Sequence, residues 1–321
     1  GLPAIVTIVL ALGVTRMSQR NVIIRKLPAV ETLGTATYIC SDKTGTLTKN
    51  EMTVKGIYTA EEAFQVTGTG YEPQGKFLAE KGGEIDPAAH AHLQLILLGG
   101  LLNNDSQLES NGDNYRIIGD PTEGALLVAA AKGGLTREEA GEKYPRLAEI
   151  PFDSQRKLMT TFHRLGEEIR AFTKGAPDVL LDRCTRVLTA KGEEPLTADY
   201  RERLLELNGK LASRGERVLA LGYRWWPAVP AGFVPETVEQ DLTFAGFFSM
   251  QDPARPEAAE AVAVSRQAGI RTVMITGDHP ETATAIARDL GILQPGDRVL
   301  TGSQLNELAE EELREAVLQT S

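Results

Sequence analysis

Asp42-Lys43-Thr44-Gly45-Thr46-Leu47-Thr48 follows the β-prone run Thr37-Tyr38-Ile39-Cys40-Ser41, so a carboxylate stands at a strand end with a cation beside it and a Gly/Thr loop behind it. Far downstream the chain alternates strand and helix. A strand near 243–250 ends at Asp252-Pro253, and a helix from about Pro256 to Ala268 is stopped by Gly269. The β-branched run Arg271–Ile275 leads into Thr276-Gly277-Asp278, and a helix from Pro280 to Leu290 is closed by Gly291. This β-α-β-α order predicts a parallel sheet, whose ligands bind beyond the carboxyl ends of the strands. Asp42, Asp252 and Asp278 all fall at such ends.

Residues 53–245 read differently. Short strands near 54–58, 115–118, 158–163, 169–173 and 217–223 are mixed with helices near 121–132 and 199–214, and Arg164-Leu165-Gly166-Glu167-Glu168 has the composition of a hairpin turn. The expected organisation is an α+β domain (53–245) inserted into an α/β domain whose two parts are 25–52 and 246–321, with residues 1–24 as a leading segment.

That leading segment is apolar from Gly1 to Val14 and then basic at Arg16, Arg20, Arg25 and Lys26. It is shorter than the roughly 20 residues a spanning helix needs, and the order of charges is wrong for a signal peptide. A buried amphipathic helix and the cytoplasmic half of a membrane helix both fit, the second through the basic flank. At the other end, Ser303 is the expected N-cap of an amphipathic stretch with Leu305, Leu308, Leu313 and Val317 on one stripe.

Composition narrows the function classes. The balance of 34 Lys+Arg against 44 Asp+Glu gives a net charge of −10 and argues against nucleic acid as a bulk partner. Cys40 and Cys184 form no disulfide framework, and Cys40 reads as a small buried strand residue. The four histidines show no metal-ligand spacing, which leaves little room for zinc; His90 and His92 read as a partly solvated helix face, and Trp225-Trp226 as packing.

The chemistry centres on Asp42. A carboxylate at that position is able to attack a phosphoryl group while Lys43 and a metal neutralise its oxygens and loop amides cradle them. Asp-Lys-Thr-Gly alone is ordinary turn composition, but the seven residues in order are far more specific. The heptapeptide resembles the phosphorylation motif of P-type ATPases, cation pumps that form an aspartyl-phosphate. Gly119-Asp120-Pro121-Thr122-Glu123, Pro151-Phe152-Asp153-Ser154 with Arg156-Lys157, Lys174-Gly175-Ala176-Pro177-Asp178, Asp252-Pro253 with Arg255, and Thr276-Gly277-Asp278 occur in family order. Gly1-Leu2-Pro3 is similar to the end of the ion-site motif of the fourth membrane helix, which moves the leading segment to the membrane-helix reading, and 27–34 resembles the linker that follows. Val66-Thr67-Gly68-Thr69-Gly70-Tyr71-Glu72-Pro73 resembles bacterial members of the calcium-pump branch.

The resemblance implies a haloacid-dehalogenase-like phosphorylation domain, incomplete here, with a large inserted nucleotide-binding domain, and ATP and Mg2+ as ligands. It implies that Asp42, Lys43, Thr44, Thr276, Gly277 and Asp278 are catalytic, with Asp42 and Thr44 at the metal. Adenine would stack on Phe152, with Lys174 and Gly175 lining the pocket and Lys157, Arg217 and Glu123 around it. Each residue also has a local reading: Phe152 as a core aromatic, Glu123 as the far half of a capping box with Asp120, Lys174 as an edge lysine with Gly175 allowing close approach of a ligand, Arg217 as a solvated strand start, Asp278 as an N-cap. Ser154 replaces an Arg found in some pumps, so its phosphate contact falls to Arg156 or is weakened. Soluble phosphatases of the superfamily carry a second Asp two positions after the nucleophile; Thr44 stands there and cannot activate water, so the phosphoenzyme is expected to persist.

The implied activity is ATP-driven cation transport, with calcium expected, by a multi-pass protein of the cell membrane whose region seen here is cytoplasmic. The family's membrane and actuator domains are missing, as are its later Gly-Asp-Gly-x-Asn-Asp segment and phosphoryl-contacting Lys. The isolated chain is therefore expected to bind ATP weakly without phosphorylating itself. A soluble phosphatase or phosphotransferase of the same superfamily, a pump for Mn, Na/K or H, and a non-catalytic nucleotide-binding module are the alternatives.

Overall fold

The structure, a computed structural model, describes residues 1–112, 114–277 and 280–321. They form two compact units. The larger holds Thr48–Arg255 and residues 280–285; the smaller holds Gly1–Leu47, Pro256–Gly277 and Ile286–Ser321.

The larger unit is built on an eleven-stranded sheet. Its centre is the strand Leu242–Gln251, which pairs antiparallel with Thr53–Tyr58 on one side and Arg217–Trp226 on the other. Beyond Arg217–Trp226 the sheet continues through Glu168–Gly175, Leu158–Leu165 and Arg146–Asp153, all antiparallel. Side chains alternate between two cores, as the period of two requires. Leu221, Tyr223, Phe248 and Met250 pack under the helices Ala91–Leu102 and Pro121–Lys132, with Leu93, Leu97 and Leu126. Ala220, Phe244 and Phe247 join Leu180, Leu181 and Leu204 of the helices Pro177–Asp182 and Ala198–Ser213. Helix starts follow their caps: Asp120 accepts from the Thr122 and Glu123 N–H groups, and Thr197 from that of Tyr200. The hairpin at 164–168 turns through Gly166 at φ 70°.

The expected parallel sheet is smaller than the strand–helix alternation suggested. Leu242–Gln251 does not belong to it, and the boundary expected at 245/246 falls inside that strand. The strand is buried from Leu242 to Met250 because helices cover both faces of its sheet. A continuous apolar run of this kind resembles a parallel-sheet strand, and burial on both faces produces it in either arrangement.

In the smaller unit, Tyr38–Asp42 pairs parallel with Arg271–Ile275, from Tyr38↔Arg271 to Asp42↔Ile275. The helix Pro256–Gln267 packs on Arg271–Ile275 as the crossover pattern requires. Cys40 is exposed, contrary to the expected burial, because its strand has a single partner among the described residues and little cover. The expected N-cap at Ser303 is displaced to Thr301, whose side chain and that of Gln304 form a reciprocal capping box, and the stretch splits into the helices Gly302–Glu307 and Glu310–Gln319. The leading helix Leu2–Ser18 has no buried residue, with Leu2 at 75% and Ile8 at 60% exposure, so it is not a buried amphipathic helix. No helix among the described residues is long and apolar enough to cross a membrane.

Candidate functional site

The smaller unit places Asp42 at the carboxyl end of its parallel pair. Because Asp42 is in register with Ile275, Lys43-Thr44 and Thr276-Gly277 leave the sheet at the same edge, the edge where parallel sheets bind ligands. Asp42 and Thr44 are exposed, and Lys43 is buried at 6% exposure. The chain reverses tightly here. Gly45 has φ 72°, the left-handed conformation that a side chain disfavours, so the glycine sets the path of the turn. Thr276 is half-buried and Gly277 exposed, while Asp278 lies outside the described residues.

In the larger unit, Lys174 and Glu123 form a buried ion pair, Nζ to Oε1 at 2.5 Å, with side-chain exposures of 7% and 15%. Burial pulls the Lys174 ammonium below its ordinary pKa, and Glu123 partly offsets that pull. Lys174 also donates to the Asn103 carbonyl at 2.5 Å, and Glu123 Oε2 accepts from the Asp105 N–H at 2.9 Å. Glu123 thus does not complete a capping box with Asp120: its carboxylate turns to Lys174 and the 105–106 backbone. Lys174 is no edge lysine, because Glu168–Gly175 has a paired strand on each side.

Gly175 has a packing reason. A Cβ there would meet the Lys157 carbonyl oxygen at 2.1 Å, so the glycine lets the backbone of the Lys157 turn approach closely. Phe152 is corrected in the opposite sense: it is 60% exposed, a ring in solvent at the end of Arg146–Asp153, not a core aromatic. Its turn is held by Asp153 Oδ1, which accepts from the Gln155 and Arg156 N–H groups at 3.0 and 2.8 Å. Lys157 leaves that turn exposed, at φ 57°.

Arg156 is not a spare phosphate ligand. Its guanidinium donates to Glu239 at 2.9 and 3.2 Å and to the Pro151 and Leu158 carbonyls. Burial pushes the Glu239 carboxyl up, and the Thr160 hydroxyl and Arg156 oppose the shift. Arg217 is exposed at the start of its strand. The fold therefore joins Lys174 to Glu123, and sets Gly175 beside Leu158, where the Phe152–Lys157 turn rejoins the sheet.

Asn103 was not foreseen. Fully buried, it donates from Nδ2 to the Met159 and Phe172 carbonyls at 3.0 and 2.8 Å, fixing the helix end against the strands Leu158–Leu165 and Glu168–Gly175. The only trace in the sequence is Asn103-Asn104 directly after an apolar helix, where an end cap is expected.

Residues 92–257, which include Glu123, Phe152, Lys157, Lys174, Gly175 and Arg217, match the family model described as P-type ATPase, cytoplasmic domain N. The chain belongs to the P-type ATPase family. It is 48% identical to a calcium-transporting ATPase of Bacillus subtilis over 322 residues, covering 99% of this chain and 36% of the relative. A cation-transporting ATPase of Synechocystis is 44% identical over 98% of this chain and 35% of its own length, and a calcium-transporting ATPase of Listeria monocytogenes is 43% identical over 97% and 33%. This P-type ATPase chain spans about a third of the length of the curated relatives it matches.

Proposed function

We propose that the chain is the ATP-binding and phosphate-accepting part of an ATP-driven cation pump, with calcium as the transported ion. The observation that carries the proposal is an exposed Asp42 at the carboxyl end of a parallel strand pair, in a chain of this family. In this reading the smaller unit is the haloacid-dehalogenase-like phosphorylation domain and the larger the nucleotide-binding domain. The names of two of the three relatives above support calcium. The uncovered apolar helix Leu2–Ser18 supports placement against a membrane, with the two units on the cytoplasmic side.

An adenine base stacks on the open face of Phe152, and the cations Lys157 and Arg217 meet the phosphates of an otherwise acidic chain. Lys174 acts through its ion pair: it holds Glu123 and the 103–106 backbone as the pocket wall. A carboxylate oxygen of Asp42 attacks the terminal phosphorus, the bond to the bridging oxygen of ADP breaks, and the phosphoryl group stays esterified to Asp42. Thr44, in place of a second carboxylate, offers no base for water, so the acyl phosphate persists. The exposed oxygens of Asp42 and Thr44 are hard donors that suit Mg2+, which needs one or two protein oxygens beside phosphate and water. When bound it neutralises phosphate charge.

The test uses the full-length pump and γ-labelled ATP. Label is expected to appear on the protein only with calcium, to be released by hydroxylamine, and to be absent from Asp42→Asn. Equal labelling of that variant overturns the proposal.

A further inference from the structure

The larger unit also brings together three side chains that the nucleotide pocket does not use. Glu62 ends the turn after the strand Thr53–Tyr58, and its backbone is fixed: the Thr59 N–H donates to the Glu62 carbonyl at 2.9 Å, and the Glu62 N–H donates to Thr59 Oγ1 at 2.9 Å. His90 immediately precedes the helix Ala91–Leu102, and His92 lies in its first turn. The two rings are 5.9 Å apart between centroids, and both pack on Phe64, at 5.5 and 5.8 Å. One nitrogen from each imidazole and one Glu62 oxygen lie within 4.8 Å of one another, the one such group among the described residues.

His92 is the decisive member. It is 8% exposed, contrary to the solvated face its sequence suggested, and its buried Nε2 makes no hydrogen bond. Glu62 Oε2 is only 2.6 Å away, yet the two atoms are not aligned as donor and acceptor. The contact is at ion-pair distance, and with the His90 ring it gathers three metal-competent donor atoms at one point. The histidines alone show no metal-ligand spacing along the chain; the third donor comes from a turn 28 residues before His90, which only the fold supplies.

We propose that Glu62, His90 and His92 bind one Zn2+, with water as a fourth ligand. Two imidazoles and a carboxylate are borderline donors that favour zinc over calcium or magnesium, whose sites are built from oxygen. A tetrahedral zinc with these ligands holds donor atoms about 3.3 Å apart. The 2.6 Å contact must therefore open slightly and the wider ones close, a shift that the Glu62 side chain, 41% exposed, is free to make. Binding would tie the 59–62 turn to the helix whose far end carries Asn103 and the Lys174 contact.

The chain is stripped with a chelator and titrated with Zn2+, Ca2+ and Mg2+ by calorimetry and thermal melting. One Zn2+ per chain is expected with micromolar or tighter affinity and a raised melting temperature, and Co2+ is expected to give the intense visible bands of a tetrahedral site. Glu62→Gln and His90→Ala, both at partly exposed positions, should each weaken Zn2+ at least about ten-fold without lowering the melting temperature of the metal-free chain. The proposal is overturned by the absence of stoichiometric Zn2+ binding, by equal stabilisation from Ca2+, or by undiminished Zn2+ affinity in both variants.

Discussion

The strands Leu242–Gln251 and Tyr38–Asp42 both run into an aspartate, and their surroundings are opposite. The first lies at the centre of an eleven-stranded sheet with helices on both faces, and the carboxylate that follows it is consumed by structure: Asp252 accepts from the Thr48 hydroxyl at 2.5 Å and from the Glu51 N–H at 3.2 Å. The second has one strand partner among the described residues, leaves Tyr38 and Ile39 about 40% exposed, and ends at an exposed Asp42. Similar sequence signals thus produce a structural aspartate where cover is complete and an accessible one where it is not. Accessibility, which chemistry requires, accompanies the weaker local packing.

The largest expected consequence is in amide exchange. Protection in Leu242–Gln251 should exceed that in Tyr38–Asp42 and Arg271–Ile275 by at least about a thousand-fold, because opening the central strand requires disrupting two cores. Equal protection would remove the basis of the contrast.

The two aspartates should separate next. Asp252→Ala removes an acceptor from the buried Thr48 hydroxyl and is expected to destabilise the larger unit by about 2 kcal/mol, whereas Asp42→Asn should stay within about 0.5 kcal/mol in denaturant unfolding.

Acid should act on the larger unit through His163. Burial, its main cause, lowers the His163 pKa to about 4, with Nδ1 3.0 Å from the Tyr144 carbonyl and Nε2 3.0 Å from Thr161 Oγ1. The unfolded chain takes up this proton near pH 6.5 and the folded chain only near 4. The stabilisation from keeping this ring neutral is complete above pH 6.5 and declines as pH falls towards 4. The loss from this group is about 2 kcal/mol at pH 5. Unfolding curves at pH 7 and 5 should show it, and His163→Gln should remove that part of the pH dependence.

The smallest effect sharpens the functional side. Phe152→Ala should weaken ATP binding to this chain roughly ten-fold, about 1.4 kcal/mol, with the melting temperature unchanged, because the ring is mostly in solvent. A loss of stability with unchanged affinity would make Phe152 a packing residue.

Local signals were legible and non-local ones were not. Asp120-Pro121 announced a helix, Gly166 a hairpin, and Asp42 with its loop a strand end, because caps, turn residues and side-chain periodicity act within a few residues. Which sheet Leu242–Gln251 would join was not legible, since pairing is decided by partners nearly 200 residues away in Thr53–Tyr58. The same limit hid the engagement of Arg156 by Glu239, the Lys157 backbone contact behind Gly175, and the meeting of Glu62 with two histidines. Resemblance supplied the residues expected at the nucleotide. The fold explains why two of them, Lys174 and Glu123, carry structural duty as well.

The most direct measurement is chemical mapping of the phosphorylated residue in the full-length pump after exposure to ATP and calcium. Borohydride reduces an aspartyl phosphate to homoserine, and sequencing by mass spectrometry then locates it. The account predicts homoserine at position 42 alone; an unreduced Asp42 in a labelled protein, or homoserine at any other position, would contradict it.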